Sequence, residues 1–237
     1  MGPAGFKYRG FQKMAFAVVY IGQRKFDKTS RTNHDRLFEL FRTKYEMNVY
    51  DFTRPGPSTT GPFQSSGGVQ VWDFLQAVKQ VNEYIIIKLR TDTWFTNNSM
   101  PVILSELDEI VNDNNDVAFM GVDFKNHYDK LHERLDASAT KKITDFVVIA
   151  KKSRLDSEES IVTRLNGPKH KSGNVMFKYI LAPDARAVSV SCQMYLIRKD
   201  YDVPNNWQIY SDWTSEYYKS EAAQQWVANN KKFIGKL

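Results

Sequence analysis

Apolar residues in this chain gather into short unbroken runs, with amphipathic stretches of helical period between them. Ala15 to Gly22 (AFAVVYIG) is apolar throughout and ends in glycine, the pattern of a strand covered on both faces. From Thr29 to Tyr45, the residues Leu37, Phe38, Leu40 and Phe41 stand among charges at helical spacing, with Ser30 or Thr32 as the cap. Asn48 to Thr53 (NVYDFT) reads as a short strand. Arg54 to Gly68 holds three Pro, four Gly and five Ser or Thr, so it reads as a loop long enough to carry function. Val69 to Val81 predicts a helix with Val71, Phe74, Leu75 and Val78 on one side. Glu83 to Arg90 (EYIIIKLR) is the strongest strand signal, ended by Thr91-Asp92-Thr93.

Beyond it the pattern predicts a helix over Pro101 to Asn112 capped by Ser99, then a strand from Val117 to Phe124. Asn126 to Ala139 reads as a charged helix or irregular stretch, and Asp145 to Ala150 as a strand. Helices follow at Ser157 to Leu165 and Asn174 to Leu181, with a basic loop between them, then a strand at Val188 to Ile197. Ser211 to Phe233 reads as an amphipathic helix through Trp213, Tyr217, Ala222 and Trp226, a set that packs as core. Strands alternating with helices imply an α/β fold with a mainly parallel central sheet. Residues 1–13 are basic and lack an apolar centre, so they are no secretory signal and read as an added or disordered extension. Residues 14–237 read as one domain.

Charge and cysteine usage narrow the picture. The net charge of +6 suits a small polyanion such as a nucleotide diphosphate, and its cations form no long block, so nucleic acid is not the first partner expected. The single Cys192, in an apolar strand, reads as an inert core residue; it excludes an internal disulfide and a Cys-based zinc module, and a reducing, cytoplasmic compartment is expected. No stretch reaches the roughly 18 consecutive apolar residues of a membrane-spanning helix.

In open α/β sheets, ligands bind outside the carboxyl ends of the strands. Those ends here are Tyr20-Ile21-Gly22-Gln23-Arg24, Thr53-Arg54, Arg90-Thr91-Asp92 and Gly121-Val122-Asp123. The glycine-rich dinucleotide and P-loop fingerprints are absent, as are HExxH and GxSxG. None of the four His lies at a clear strand end, which leaves acid–base chemistry to carboxylates. The segment Lys88-Leu89-Arg90-Thr91-Asp92-Thr93-Trp94 sets a hard oxygen ligand beside two cations, a combination fit for Mg²⁺ or Mn²⁺ and a diphosphate. The plainer structural reading makes Asp92 a turn cap and pairs Arg90 with a neighbouring carboxylate.

With its buried strand, KLRTDTWF resembles the K-[IL]-R-[ST]-D-x-[WF] element of GT-A glycosyltransferases of the lipopolysaccharide-core (WavE-like) and capsular type. It also resembles a glycosyltransferase domain encoded by chlorella viruses and associated with capsid glycans. The opening AVVYIGQRKF and the later Asp145-Phe-Val-Val-Ile-Ala-Lys fit the same resemblance, which spans Met14 to Leu181. It implies a GT-A (nucleotide-diphospho-sugar transferase) fold with a mixed, mostly parallel sheet flanked by helices, a UDP-sugar donor, a carbohydrate or glycoprotein acceptor, and Mn²⁺ or Mg²⁺. A viral source would set the chain in the host cytoplasm. By the same resemblance Asp92 is the metal-binding acid, Lys88, Arg90 and Thr91 lie near ribose and diphosphate, and Tyr20, Gly22 and Arg24 line the base pocket. Arg90 stands where such sites carry their first acid, so Asp212 is the expected second metal ligand, or metal dependence is weaker.

The expected reaction moves a sugar from UDP-sugar to a glycan hydroxyl, with Asp123, Asp145 and Asp212 as contenders for the base. Trp94 is placed either to stack on a ligand or to pack as core, and Trp207 and Tyr210 either to flank an acceptor sugar or not. His127 and His132 read as solvated surface in a polar helix, and His170 as part of a flexible basic loop. The competing functions are a non-catalytic glycan- or protein-binding module, a sugar nucleotidyltransferase, which would need more glycine after the first strand, and a nucleic-acid-binding domain.

Overall fold

The computed structural model describes residues 15–22, 28–54, 66–121, 132–136, 146–165, 181–192, 194–199 and 207–209. In chain order the elements are β1 (Ala15–Tyr20), α1 (Lys28–Arg42), β2 (Glu46–Asp51), α2 (Ser66–Gln80), β3 (Ile85–Leu89), β4 (Thr93–Phe95) and α3 (Ser99–Val111). There follow β5 (Val117–Gly121), β6 (His132–Asp136), β7 (Val147–Lys151), α4 (Glu158–Leu165), β8 (Ala187–Cys192), β9 (Met194–Lys199) and β10 (Trp207–Ile209). A seven-stranded sheet has the order β2-β1-β3-β7-β5-β8-β6. Five of its strands, β2, β1, β3, β5 and β8, run one way, and β7 and β6 run against them. The fold is therefore α/β with a mixed, mostly parallel sheet. A smaller antiparallel sheet has the order β10-β9-β4.

Side chains of a strand point alternately to its two faces, and both faces are covered here. Phe16, Val18 and Tyr20 of β1 and Ile85, Ile87 and Leu89 of β3 pack with Leu37, Phe38 and Phe41 of α1 and with Ile103, Leu107 and Ile110 of α3. Ala17, Val19 and Ile86 face the other way, onto Val71, Phe74, Leu75 and Val78 of α2 and Ile161 of α4. Phe41 is fully buried and meets Phe16 edge-to-face at 5.4 Å between ring centres. Cys192 is buried, and burial pushes its thiol pKa up, in keeping with an inert core residue. No helix among the described residues is long and apolar enough to cross a membrane.

Several elements differ from the sequence pattern. The first helix begins at Lys28, so Ser30 and Thr32 lie inside it and do not cap it. The second begins at Ser66 and takes in the end of the expected loop. Ser99 is the first residue of α3 and not its cap; its N–H donates to Thr96 Oγ1 at 3.1 Å. A strand, β6, stands within the stretch expected to be a charged helix or irregular, because His132 to Asp136 pair antiparallel with β8 and the ladder overrides local preference. His132 is thus a strand residue. The run Val188 to Ile197 is two strands that join different sheets. The expected extension 1–13 and the helices at 174–181, save Leu181, and 211–233 lie outside the described residues, as do His127 and His170.

A cluster of charges fastens the amino edge of the sheet. Asp116, just before β5, is buried and accepts from the Arg186 backbone N–H at 3.0 Å, from its Nε at 3.1 Å and from its Nη2 at 3.0 Å. Lys151, also buried, donates to Asp116 at 3.4 Å and pairs with Asp113. These cations hold the Asp116 carboxyl well below the usual carboxylate range.

Candidate functional site

β1, β2 and β3 are neighbours that run the same way, and Tyr20 pairs with Asp51 on one side and Leu89 on the other. Three strands thus end level, and their hydrogen bonding continues past the last paired residues. The Phe52 N–H donates to the Tyr20 carbonyl at 2.9 Å, and the Arg54 N–H to the Gly22 carbonyl at 2.8 Å. Gly22 has φ +87°, with open space where a Cβ would be, so backbone conformation and not crowding calls for glycine there. Arg54 reaches from this edge to Asp73 of α2. Burial pushes the Asp73 carboxyl up, with Arg54 acting against the shift.

The chain leaves β3 through a tight turn, in which the Thr93 N–H donates to the Arg90 carbonyl at 3.4 Å. Thr91, Asp92 and Thr93 are all buried, and a buried carboxylate needs partners inside the protein, whereas the Thr93 hydroxyl is buried without one among the described residues. Arg90 partners Asp92: Nε donates to Oδ1 at 2.9 Å and Nη2 to Oδ2 at 3.1 Å. The Asp92 side chain is 4% exposed and that of Arg90 21%. The Arg90 guanidinium also lies over the Phe146 ring, 5.9 Å from its centre. The plainer reading foresaw a carboxylate partner for Arg90, and Asp92 itself fills that place.

Helix α1 fastens the same turn from the side. Asn33 Nδ2 donates to the Phe95 carbonyl at 2.8 Å, and the Phe95 N–H donates to Asn33 Oδ1 at 2.8 Å. Arg36 Nη2 donates to Asn97 Oδ1 at 2.8 Å. Between these two contacts lies His34, 1% exposed, with Nε2 2.6 Å from the Thr93 carbonyl and Nδ1 2.6 Å from the Tyr20 hydroxyl. A carbonyl only accepts, so Nε2 carries the proton and the Tyr20 O–H donates to Nδ1. Burial lowers the His34 pKa to about 4, opposed by its bond to the Thr93 carbonyl and by the nearby Asp92 charge. The ring is therefore neutral at pH 7.

His34 was missed among the strand ends because it comes from a helix. A signal was available: His34, Leu37, Phe38 and Phe41 fall at i, i+3, i+4 and i+7, one continuous stripe on the core side of α1.

The expected site residues fall into three groups. Tyr20, Gly22, Arg90, Thr91 and Asp92 come together at or beneath the carboxyl edge; the Tyr20 hydroxyl is engaged with His34, and the residue supports the edge from below. Lys88 is fully buried within the sheet, in register with Val19 and Val148, one residue short of the strand end. Arg24, Asp123, Asp145 and Asp212 lie outside the described residues, as does Tyr210, and of Trp207 only its place in β10 is described. Trp94 is a half-buried residue of β4.

The divalent ion implied by the resemblance does not fit the residues described. Asp92 is a single carboxylate with both oxygens engaged by a guanidinium, and among the described residues no three His, Cys, Asp or Glu come together.

No family model matches the chain, and a search of curated proteins gives no match. Among solved structures it is similar to a glycosyltransferase involved in glycosylation of the major capsid of PBCV-1, with TM-score 0.40 and 12% identity over 69% of this chain and 74% of that one. It is similar to A197 from STIV, with TM-score 0.41 and 10% identity over 84% and 96%. A third likeness is to S. aureus TarS 1–349 in complex with UDP-GlcNAc, with TM-score 0.37 and 11% identity over 76% of this chain and 57% of that one. These TM-scores are too low to assign a shared function.

Proposed function

We propose that the chain is a glycosyltransferase that moves a sugar from a UDP-sugar to a glycan hydroxyl, in the synthesis of surface or capsid glycans. The observation that carries the reading is the Arg90–Asp92 pair, set at the carboxyl edge of β3 beside the level ends of β1 and β2. That edge is where open α/β sheets bind ligands. Arg90 offers a planar cation for a diphosphate, and Thr91 lies next to it. The backbone at Gly22 and the side chain of Arg54 border the neighbouring strand ends, where a nucleobase would lie. Arg24 belongs to the same pocket in this reading.

In the reaction, the bond from the sugar's anomeric carbon to the diphosphate oxygen breaks, and its electron pair stays with the phosphate. The acceptor hydroxyl oxygen bonds to that carbon, and its proton passes to a carboxylate, with Asp123, Asp145 and Asp212 as the contenders. Arg90 stabilises the charge that grows on the leaving diphosphate. No step here runs through a metal ion.

Calorimetric titration with UDP, followed by a screen of UDP-sugars for release of UDP, tests the proposal. Binding of UDP together with sugar transfer supports it. UDP binding without turnover of any donor or acceptor points to a binding module on the same fold, and failure to bind UDP at all removes the reading.

A further inference from the structure

We infer that the diphosphate end of this site works without a divalent ion, Arg90 taking the place of the metal and Asp92 serving to hold Arg90; the inference rests on the proposed donor site. A carboxylate that binds Mg²⁺ or Mn²⁺ must turn an oxygen toward the ion and share it with several other oxygen ligands. Asp92 is committed elsewhere. Its two oxygens accept from two nitrogens of one guanidinium, at 2.9 and 3.1 Å, in the side-on arrangement that fixes both partners in a plane. With Asp92 4% exposed, an ion would have to enter a closed pair and lie against a positive charge.

The orientation of the pair points the same way. Arg90 is the more exposed partner, at 21%, and is held on one side by Asp92 and on another by the face of Phe146. It is a cation fixed at a strand end, where diphosphate charge needs compensation, and its rotamer is set before any ligand arrives. The turn that carries the pair is itself fixed by Asn33 and His34 through the backbone of Phe95 and Thr93. Asp92 is thus a positioning residue.

The experiment is calorimetric titration of UDP into the full chain in EDTA and in Mn²⁺, for the wild type, Arg90→Lys and Asp92→Asn, with thermal melts to verify that each variant folds. The expected wild-type affinity is the same in the two conditions to within about twofold. Arg90→Lys keeps the charge but loses the planar fork, so affinity falls about tenfold or more in both conditions. Asp92→Asn weakens UDP by the same factor in EDTA as in Mn²⁺, because its effect passes through Arg90. Wild-type binding tighter by about tenfold or more in Mn²⁺, with that gain abolished by Asp92→Asn, would make Asp92 a metal ligand and overturn the inference. Absence of UDP binding in both conditions removes the donor site itself, and the inference with it. If both variants fail to fold, the comparison of EDTA with Mn²⁺ on the wild type still decides.

Discussion

Acid should weaken this protein through His34 by an amount that its surroundings set. The imidazole is enclosed between Tyr20, Thr93 and Phe95, and burial brings its pKa to about 4 against 6.5 for the free side chain. The folded state therefore binds the proton less readily than the unfolded chain does. The associated stability is fully present above pH 6.5, declines as pH falls, and is lost once pH drops through the folded value near 4. At about 1.4 kcal/mol per pKa unit, the loss reaches about 2 kcal/mol by pH 5 and about 3 kcal/mol by pH 4. Hydrogen bonding is not the main cost, since the Tyr20 hydroxyl can turn and accept from a protonated Nδ1. The cost is a charge without water, eased only in part by Asp92. His34→Gln supplies the comparison, because an amide can accept from Tyr20 and donate to Thr93 but does not titrate. Urea unfolding followed by tryptophan fluorescence, from pH 7.5 down to 4, should show wild type losing about 3 kcal/mol more than the variant. Carboxylates common to both proteins cancel in that difference. Parallel stability curves for the two proteins would refute the reasoning.

Three further outcomes follow from the packing and the backbone. Phe41→Ala removes a fully buried ring from against Phe16 and should cost about 3–5 kcal/mol in urea unfolding. Gly22→Ala places a Cβ in open space but at a left-handed φ, so roughly 1–2 kcal/mol of strain should appear in the same measurement without any clash. Asp116→Asn removes the charge that Arg186 and Lys151 share, while Lys151 keeps Asp113, and should cost about 2 kcal/mol at pH 7. Because the Asp116 carboxyl is held below its ordinary value, that cost should shrink as wild type is itself acidified below about pH 4.

The parts of the fold legible in the sequence were those whose burial is complete. The runs AFAVVY and IIIKL cover both faces of inner strands, so nearly every position is apolar and the strand cannot be mistaken. β4 was invisible because three residues show no period and Thr93-Trp94-Phe95 simply follow a turn. The apolar run from Val188 to Ile197 signalled strand, but nothing in such a run says that its halves, β8 and β9, belong to different sheets. At the candidate site, Asp92 and Arg90 were legible as candidates by their place after a buried strand. That they would satisfy each other was not, since side-chain reach and turn geometry decide it. His34 stayed hidden because its companions in contact, Tyr20 and Thr93, lie 14 and 59 residues away.

The chain passes between the two sheets three times among the described strands: through the Arg90–Asp92 turn from β3 to β4, back through α3 from β4 to β5, and again from β8 to β9. Since β4 is paired with β9, and β8 connects back to β3 through β5 and β7, the elements close into a ring. Each segment of that ring is either covalent chain or a hydrogen-bonded ladder. Within such a loop the turn after β3 cannot fray by itself; to open, it must break a ladder somewhere around the circuit. The turn that presents Arg90 thus behaves as a member of a truss, stiff without a disulfide to make it so.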